Sequence, residues 1–551
     1  MRWVCLLLLI AMPSYAQNRS QARSMVISRL GIVATSQTLA SQAGAQVLAR
    51  GGSAMDAAIA ANAALGVVEP MSNGIGGDLF AIYWESKSGK LTGINASGWA
   101  PAGYTVPYLR AKSHYRAPDE GIDAVTVPGC VAGWERLHKK FGRLPFRDLL
   151  RPAMVYAAEG FPVTEIIQEH WRASTLTLSR DDNARALFLP NGSPPGVGEI
   201  FRNPPLAKAL GLIAAGGAGA FYDGPIAQAI LKTSQRLGGA MAAPDLSQYQ
   251  PEWVEPVSTE YRGWKVYELP PNGQGIAALE MLNILETLPL PSLDAQSADA
   301  LHLKIEAQKL AYADLIRYIA DPRFAQVPVA GLLSKPYAAG RAALIQRDRA
   351  RCDNVAGTPP RAVGDTIYLS VVDRDGNIAS LIQSLYLSFG SGVLVDGFGF
   401  HLQNRAALFE MDEQHPNVAA PRKRPLHTII PAFAEKGDLR LGFGIMGGFN
   451  PAQAHAQFIS HMVDHGMNIQ AALEAPRFTK LSFGGCDVMM EARIPAGVRE
   501  ELASRGHRVE VLGDYSGTVG GGQAVLHDSR AKVNYGASSP RKDGAAIPEP
   551  A

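Results

Sequence analysis

A mixed α/β fold is the architecture this sequence predicts, and three observations carry it. Two runs rich in β-branched and aliphatic residues, Gly364 to Asp373 and Ile378 to Ser384, flank Arg374-Asp375-Gly376-Asn377. They read as a β-hairpin, because Gly376 can take the positive φ that a short bulged loop requires. From Ser36 to Val68, small and aliphatic residues recur at helical spacing. Further helical patterns, over Phe146 to Leu237, Ile276 to Leu285 and Ala298 to Ile319, alternate with strand-like and turn-rich stretches.

Taken in order, Met1-Arg2 supplies one positive charge, Trp3 to Met12 a short apolar core, and Pro13-Ser14-Tyr15-Ala16 a small-x-small cleavage site. Residues 1–16 are therefore expected to be a secretory signal peptide, and the mature protein to be secreted or periplasmic. The apolar run is about ten residues where a membrane span needs roughly twenty, so no membrane association is expected after its removal. Gly51-Gly52 breaks the first helical stretch and Asp56-Ala57-Ala58 starts a second helix. The block Glu69 to Phe80, with Gly74, Gly76 and Gly77, lacks both the dinucleotide pattern and the lysine-serine ending of a phosphate loop. It reads as a close-packed turn into a strand from Leu79 to Trp84.

Between Ala339 and Gly364 the chain is first basic, with Arg341, Arg347, Arg349 and Arg351, and then loose, with Gly357-Thr358-Pro359-Pro360. The charges are expected on a solvated helix face and the Pro-rich piece in a flexible loop just before the hairpin. If the hairpin loop is centred on Asp375, Thr366 and Ser384 stand opposite each other. A bulge would slip that register by one residue and put the two hydroxyls on opposite faces.

Composition bounds the function. With 551 residues, 47% hydrophobic, 19% charged and a net charge of +2, the chain can bury a large core and carries no signal for nucleic acid or an anionic membrane. Cys130, Cys352 and Cys486 remain after the signal. An odd count forms no complete disulfide framework, so they read as small buried residues with at most one bridge. No Cys/His spacing suggests zinc, and no metal or cofactor is expected.

The hairpin continues into Tyr386-Leu387-Ser388-Phe389-Gly390-Ser391-Gly392, Leu402-Gln403-Asn404-Arg405, Lys423-Arg424-Pro425-Leu426-His427-Thr428, Met446-Gly447-Gly448 and Ala475-Pro476-Arg477-Phe478. In that order and spacing these motifs resemble the small subunit of the gamma-glutamyltranspeptidase family of N-terminal nucleophile hydrolases. Ser36-Gln37, Asn62-Ala63, Gly76-Gly77 and Val127-Pro128-Gly129 extend the likeness to the amino-terminal half. The resemblance implies a four-layer αββα sandwich built by two subunits of one precursor, residues 17–365 and 366–551, with a dimer of heterodimers as one assembly it allows. It implies that Thr366 attacks the Asp365–Thr366 bond and then serves as an amino-terminal nucleophile on a small-molecule amide. Ser384 would orient that nucleophile, and Gly447 and Gly448 would present backbone N–H groups to the oxyanion.

The sequence departs from the family where the transpeptidases hold a γ-glutamyl zwitterion. The arginine position falls on Ser97, the serine pair on His427 and Thr428, the asparagine on Tyr386, the glutamine on Arg405 and the aspartate on Leu408. Leucine cannot pair with an ammonium group and an arginine repels one. Arg405 can instead fork onto a carboxylate, with His427 as a second donor, Asn404 beside it and Tyr386 making the pocket more apolar. The alternatives are a structural salt bridge for Arg405 and a satisfied core histidine for His427. Together these residues resemble the cephalosporin-acylase and oxamate-amidohydrolase branch, and imply an acyl group with a terminal carboxylate and no α-amine. The other readings are a true gamma-glutamyltransferase or glutathione hydrolase, and a non-catalytic binding protein on the same fold.

Overall fold

The computed structural model describes residues 21–353, 365–480 and 482–551. The proposed signal peptide and the Gly357–Pro360 stretch lie outside them. Two seven-stranded antiparallel sheets form the centre. The first runs Ala545–Pro548, Ile32–Thr35, Asp365–Val372, Ile378–Tyr386, Asp78–Glu85, Lys90–Ala96 and Glu252–Val254 across its width. The second runs Val26–Ser28, Val533–Ser538, Gly522–Asp528, Leu439–Ile445, Ala432–Lys436, Trp264–Glu268 and Val257–Tyr261.

The predicted hairpin occupies the middle of the first sheet. Its loop closes as Asp373 Oδ1 accepts from the N–H groups of Asp375 and Asn377, both at 3.0 Å, and Gly376 takes φ +80°. Because strand side chains alternate, Ile367, Leu369 and Val371 join a core of helical residues on one face. Tyr368 and Val372 join a core that also contains Phe433, Met446 and Val525 of the second sheet region. The two sheets therefore meet face to face on the Tyr368 side. There Tyr368 lies against Gly444, where a Cβ would come within 2.5 Å of its ring, and Ser370 Oγ donates to the Gly442 carbonyl at 3.1 Å.

The helix pair forms as expected. Gln37 caps Thr38–Ala49, and Ser53 and Asp56 make a reciprocal capping box at the start of Ala54–Val68. The second of these helices is apolar on nearly every side and correspondingly buried. It packs with Phe146–Glu159 and their neighbours over the outer face of the first sheet. Over the outer face of the second lie Gly275–Glu286, Ala298–Tyr318 and Asn450–Val463.

The basic run differs from expectation. Its helix, Lys335–Ala342, ends before Arg347, and Arg341 turns inward to pair with Asp314 at 3.0 Å. The cysteines resolve into one disulfide, Cys352–Cys486, and a buried free thiol at Cys130.

Candidate active site

Thr366 and Ser384 are buried neighbours, and Thr366 Oγ1 donates to Ser384 Oγ at 3.0 Å. Ile367 pairs with Gln383 and Tyr368 with Ile382, the register of a loop centred on Asp375. A bulge does occur, between Asp365 and Ile367, but it leaves the two hydroxyls on the same face. Ser384 Oγ also accepts the Tyr386 N–H at 2.7 Å, which fixes the hydroxyl where the strand ends. Tyr386 has φ +81°, a left-handed conformation that is costly for a bulky residue and turns the chain sharply out of the sheet.

That turn places the Tyr386 ring under Arg405, whose guanidinium carbon stands 4.9 Å from the ring centroid. Arg405 is fully buried, and its Nη1 donates to Thr428 Oγ1. Among the described residues, its Nε and Nη2 have no partner. These two nitrogens form one edge of the guanidinium, the fork that matches a carboxylate. Burial pushes the Arg405 pKa down to about 10, against the opposing pull of Asp78.

A continuous set of contacts joins this arginine to the glycine pair. Gln274 Nε2 donates both to the Thr428 carbonyl and, at 2.9 Å, to the Gly448 carbonyl. Gly447 and Gly448 have φ +116° and +54° and bridge the end of the strand Leu439–Ile445 and the start of the helix Asn450–Val463. Among the described residues, neither glycine N–H is donated to a partner. The strand end is held by a buried pair: His455 Nε2 accepts the Ile445 N–H at 3.0 Å, and its Nδ1 meets Glu268 at 2.7 Å. Ser370 sits on Gly442 and Tyr368 on Gly444, so the strand that begins at Asp365 runs across the strand that ends at Ile445, just before Met446 and the glycines.

Three predicted binding residues have other occupations. Ser97 Oγ donates to Asn95 Oδ1 at 2.7 Å, and its carbonyl accepts from Tyr249 and Arg424. Asn404 accepts the Leu387 N–H at 3.1 Å and donates to the Asp119 carbonyl at 2.6 Å, so it holds the Tyr386 turn in place. His427 takes the core-histidine reading: Nδ1 accepts the Ile429 N–H at 3.3 Å, so Nε2 carries the proton and donates to Asp78 Oδ2 at 3.0 Å. Burial and two nearby arginines keep this imidazole neutral, and it has no N–H left for a ligand. Leu408 is buried among apolar residues.

Asp78 is the site residue that the sequence reading missed. It lies opposite Ser384 on the neighbouring strand, and its Oδ1 accepts from the Gly98 and Gly129 N–H groups at 2.9 and 3.2 Å. Burial pushes its pKa up to about 7 although Arg405, Gly98 and Gly129 oppose the shift. The available signal was an acid directly after Gly76-Gly77. A Cβ at Gly77 would stand 2.5 Å from the Ser384 carbonyl and from Gln383 Nε2, so this glycine lets the two strands close around the site.

A cavity of about 680 Å³ reaches Met446 and Gly447 from outside and is lined also by Leu387, Ser388, Arg541 and Lys542. Elsewhere, among the described residues, His302, Glu306 and His507 place ligand atoms within 4.8 Å of one another. Lys309 Nζ stands 2.6 Å from Glu306 Oε1, and His302 Nδ1 is hydrogen-bonded to His507 Nε2 at 2.8 Å, so these groups already have partners within the protein.

Comparison with known proteins identifies the family of the chain. The family model described as gamma-glutamyltranspeptidase matches residues 40–549. The glutathione hydrolase-like YwrD proenzyme of Bacillus subtilis (strain 168) is 38% identical over 95% of this chain and 99% of its own. The oxamate amidohydrolase proenzyme of Klebsiella pneumoniae is 34% identical over 94% and 98%. Among solved structures, cephalosporin acylase from Bacillus halodurans superposes with a TM-score of 0.90 at 41% identity, covering 98% of this chain and 99% of that one. The chain thus belongs to the gamma-glutamyltranspeptidase family of hydrolases.

Proposed function

We propose that this protein is an exported, self-processing amidohydrolase and acyltransferase that cuts itself before Thr366 and favours acyl groups ending in a carboxylate without an α-amine. The observation that carries the substrate reading is the buried Arg405 fork, with Nε and Nη2 unpartnered among the described residues. A buried cation lacking an anion is costly, and a substrate carboxylate supplies one with matching geometry. Asp78, the nearby acid, has both oxygens engaged by N–H groups of Gly98, Gly129 and His427. An α-ammonium would meet Arg405 and Leu408, and neither can receive it.

Once the Asp365–Thr366 bond is hydrolysed, the Thr366 α-amine, with a reference pKa near 8, takes the Oγ1 proton. Oγ1 then attacks the amide carbon and the oxyanion is received by the Gly447 and Gly448 N–H groups. Collapse releases the amine, which leaves with the proton, and the acyl-threonine ester passes to water or to a second amine. Ser384 keeps Oγ1 in line. The three stacked cores support the four-layer sandwich, and the proenzyme names of the relatives support two subunits from one chain.

The test combines mass and rate. Intact mass should show two subunits, the smaller starting at Thr366, and a single full-length chain for Thr366→Ala. On the cut preparation, p-nitroaniline release should be faster from the glutaryl than from the γ-glutamyl anilide. A γ-glutamyl preference would overturn the carboxylate assignment and restore glutathione as the substrate.

A further inference from the structure

We infer that the mature heterodimer is covalent, its two subunits joined by the Cys352–Cys486 disulfide. This rests on the processing step proposed above. Cys352 precedes the cut and Cys486 follows it, 134 positions further along the chain. Cleavage adds one water across the Asp365–Thr366 bond, giving a carboxylate on one side and an amine on the other, and breaks nothing else. A bridge internal to the precursor therefore becomes a bridge between chains. It forms by exchange with an oxidised dithiol donor, each cysteine giving up one proton and the pair two electrons, which suits an exported protein.

The surroundings show a built anchor for residues 346–351. The helix Ala298–Tyr318 presents His302, Glu306 and Lys309 to residues 346–351. His302 Nε2 is 2.7 Å from the Gln346 carbonyl, Glu306 Oε2 accepts the Arg351 N–H at 3.2 Å, and Lys309 Nζ donates to the Arg351 carbonyl at 3.0 Å. Lys309 Nζ also lies 3.5 Å from Cys486 Sγ. From the carboxyl-terminal part, Arg505 accepts the Ala350 N–H on its carbonyl at 2.7 Å and donates from Nη1 to the Arg347 carbonyl at 3.1 Å. The His–Glu–Lys–His cluster thus has an occupation without a metal: it seats the last described turn of the large subunit against Cys486 and His507. Cys352 is exposed, so a reductant reaches the bridge.

The experiment denatures the purified protein in the presence of an alkylating reagent, which blocks every free thiol as it is exposed, and runs it on gels with and without dithiothreitol. Two bands with reductant and one full-length band without it are expected, together with a Cys352–Cys486 cross-linked peptide in a non-reduced digest. Cys352→Ser should give two bands on both gels while still eluting as a heterodimer. Two bands on both gels from the wild type, with alkylated Cys352 and Cys486, would overturn the inference. One band on both gels would overturn the processing reading instead. The digest then separates the two failures, because a joined peptide upholds the bridge and two alkylated ones reject it.

Discussion

Arg405→Met replaces the guanidinium by an apolar chain of similar reach that still packs on Tyr386. The site loses its cation but gains no stranded charge, because Asp78, relieved of the arginine that lowers its pKa, shifts further toward its neutral form. If the Nε and Nη2 edge holds a substrate carboxylate, two charge-assisted hydrogen bonds disappear. At about 1.5–3 kcal/mol each, with incomplete additivity, the loss is about 3–5 kcal/mol, or roughly 10² to 10⁴ in kcat/KM. The assay compares glutaryl p-nitroanilide with valeryl p-nitroanilide, in which a methyl stands for the carboxylate, on preparations shown by mass to be cut. The wild type should prefer glutaryl by about that factor, and the variant should bring the ratio near one. Equal losses on both substrates would refute the reasoning and make Arg405 a purely structural cation.

Ser384→Ala removes the acceptor of the Thr366 hydroxyl and of the Tyr386 N–H. It should lower kcat by roughly tenfold, for about 1–1.5 kcal/mol, with KM little changed in steady-state kinetics. Asp78 binds a proton in the folded state up to about pH 7, whereas the unfolded chain releases it near 3.8. Its contribution to stability is therefore full below about pH 4 and lost as pH rises through 7. Thermal melts of Asp78→Asn should lose that part of the decline between about pH 4 and 7, and an unchanged slope would contradict the burial argument. Gly77→Ala forces a Cβ against the Ser384 carbonyl and should cost at least about 1–3 kcal/mol, read as a lower urea midpoint.

How much of this was legible in the sequence depends on the reach of each interaction. The hairpin loop and the helix pair are local, written in Gly376, Gly51-Gly52 and Asp56, and the structure has them within two residues of where the pattern puts them. Arg405 could be placed by its motif, but its free edge could not, since that edge is defined by Thr428 and Tyr386 taking the other contacts. His427 was open between ligand and core because its partner, Asp78, is 349 residues away and arrives only through strand pairing. Asp78 itself looked like the end of a turn for the same reason. The cysteine pairing was equally closed to inspection: three thiols allow three bridges, and only the seating of residues 346–351 on the Ala298–Tyr318 helix selects one.

The final strand, Ala545–Pro548, is an outer member of the sheet that carries Thr366, and the chain locks in place immediately after it. The Glu549 N–H donates to the Gly31 carbonyl at 2.8 Å, its side chain accepts the Gly31 N–H at 2.8 Å, and it pairs with Arg374 at the tip of the hairpin. For anyone preparing the protein, this governs where a purification handle can go. A tag fused after Ala551 has two residues of slack before it tugs on that lock, so a flexible spacer is needed there. Trimming back past Ala545 would bare the backbone of Ile32–Thr35 as a sticky margin open to a neighbouring molecule, and lowered solubility would be the first sign of it.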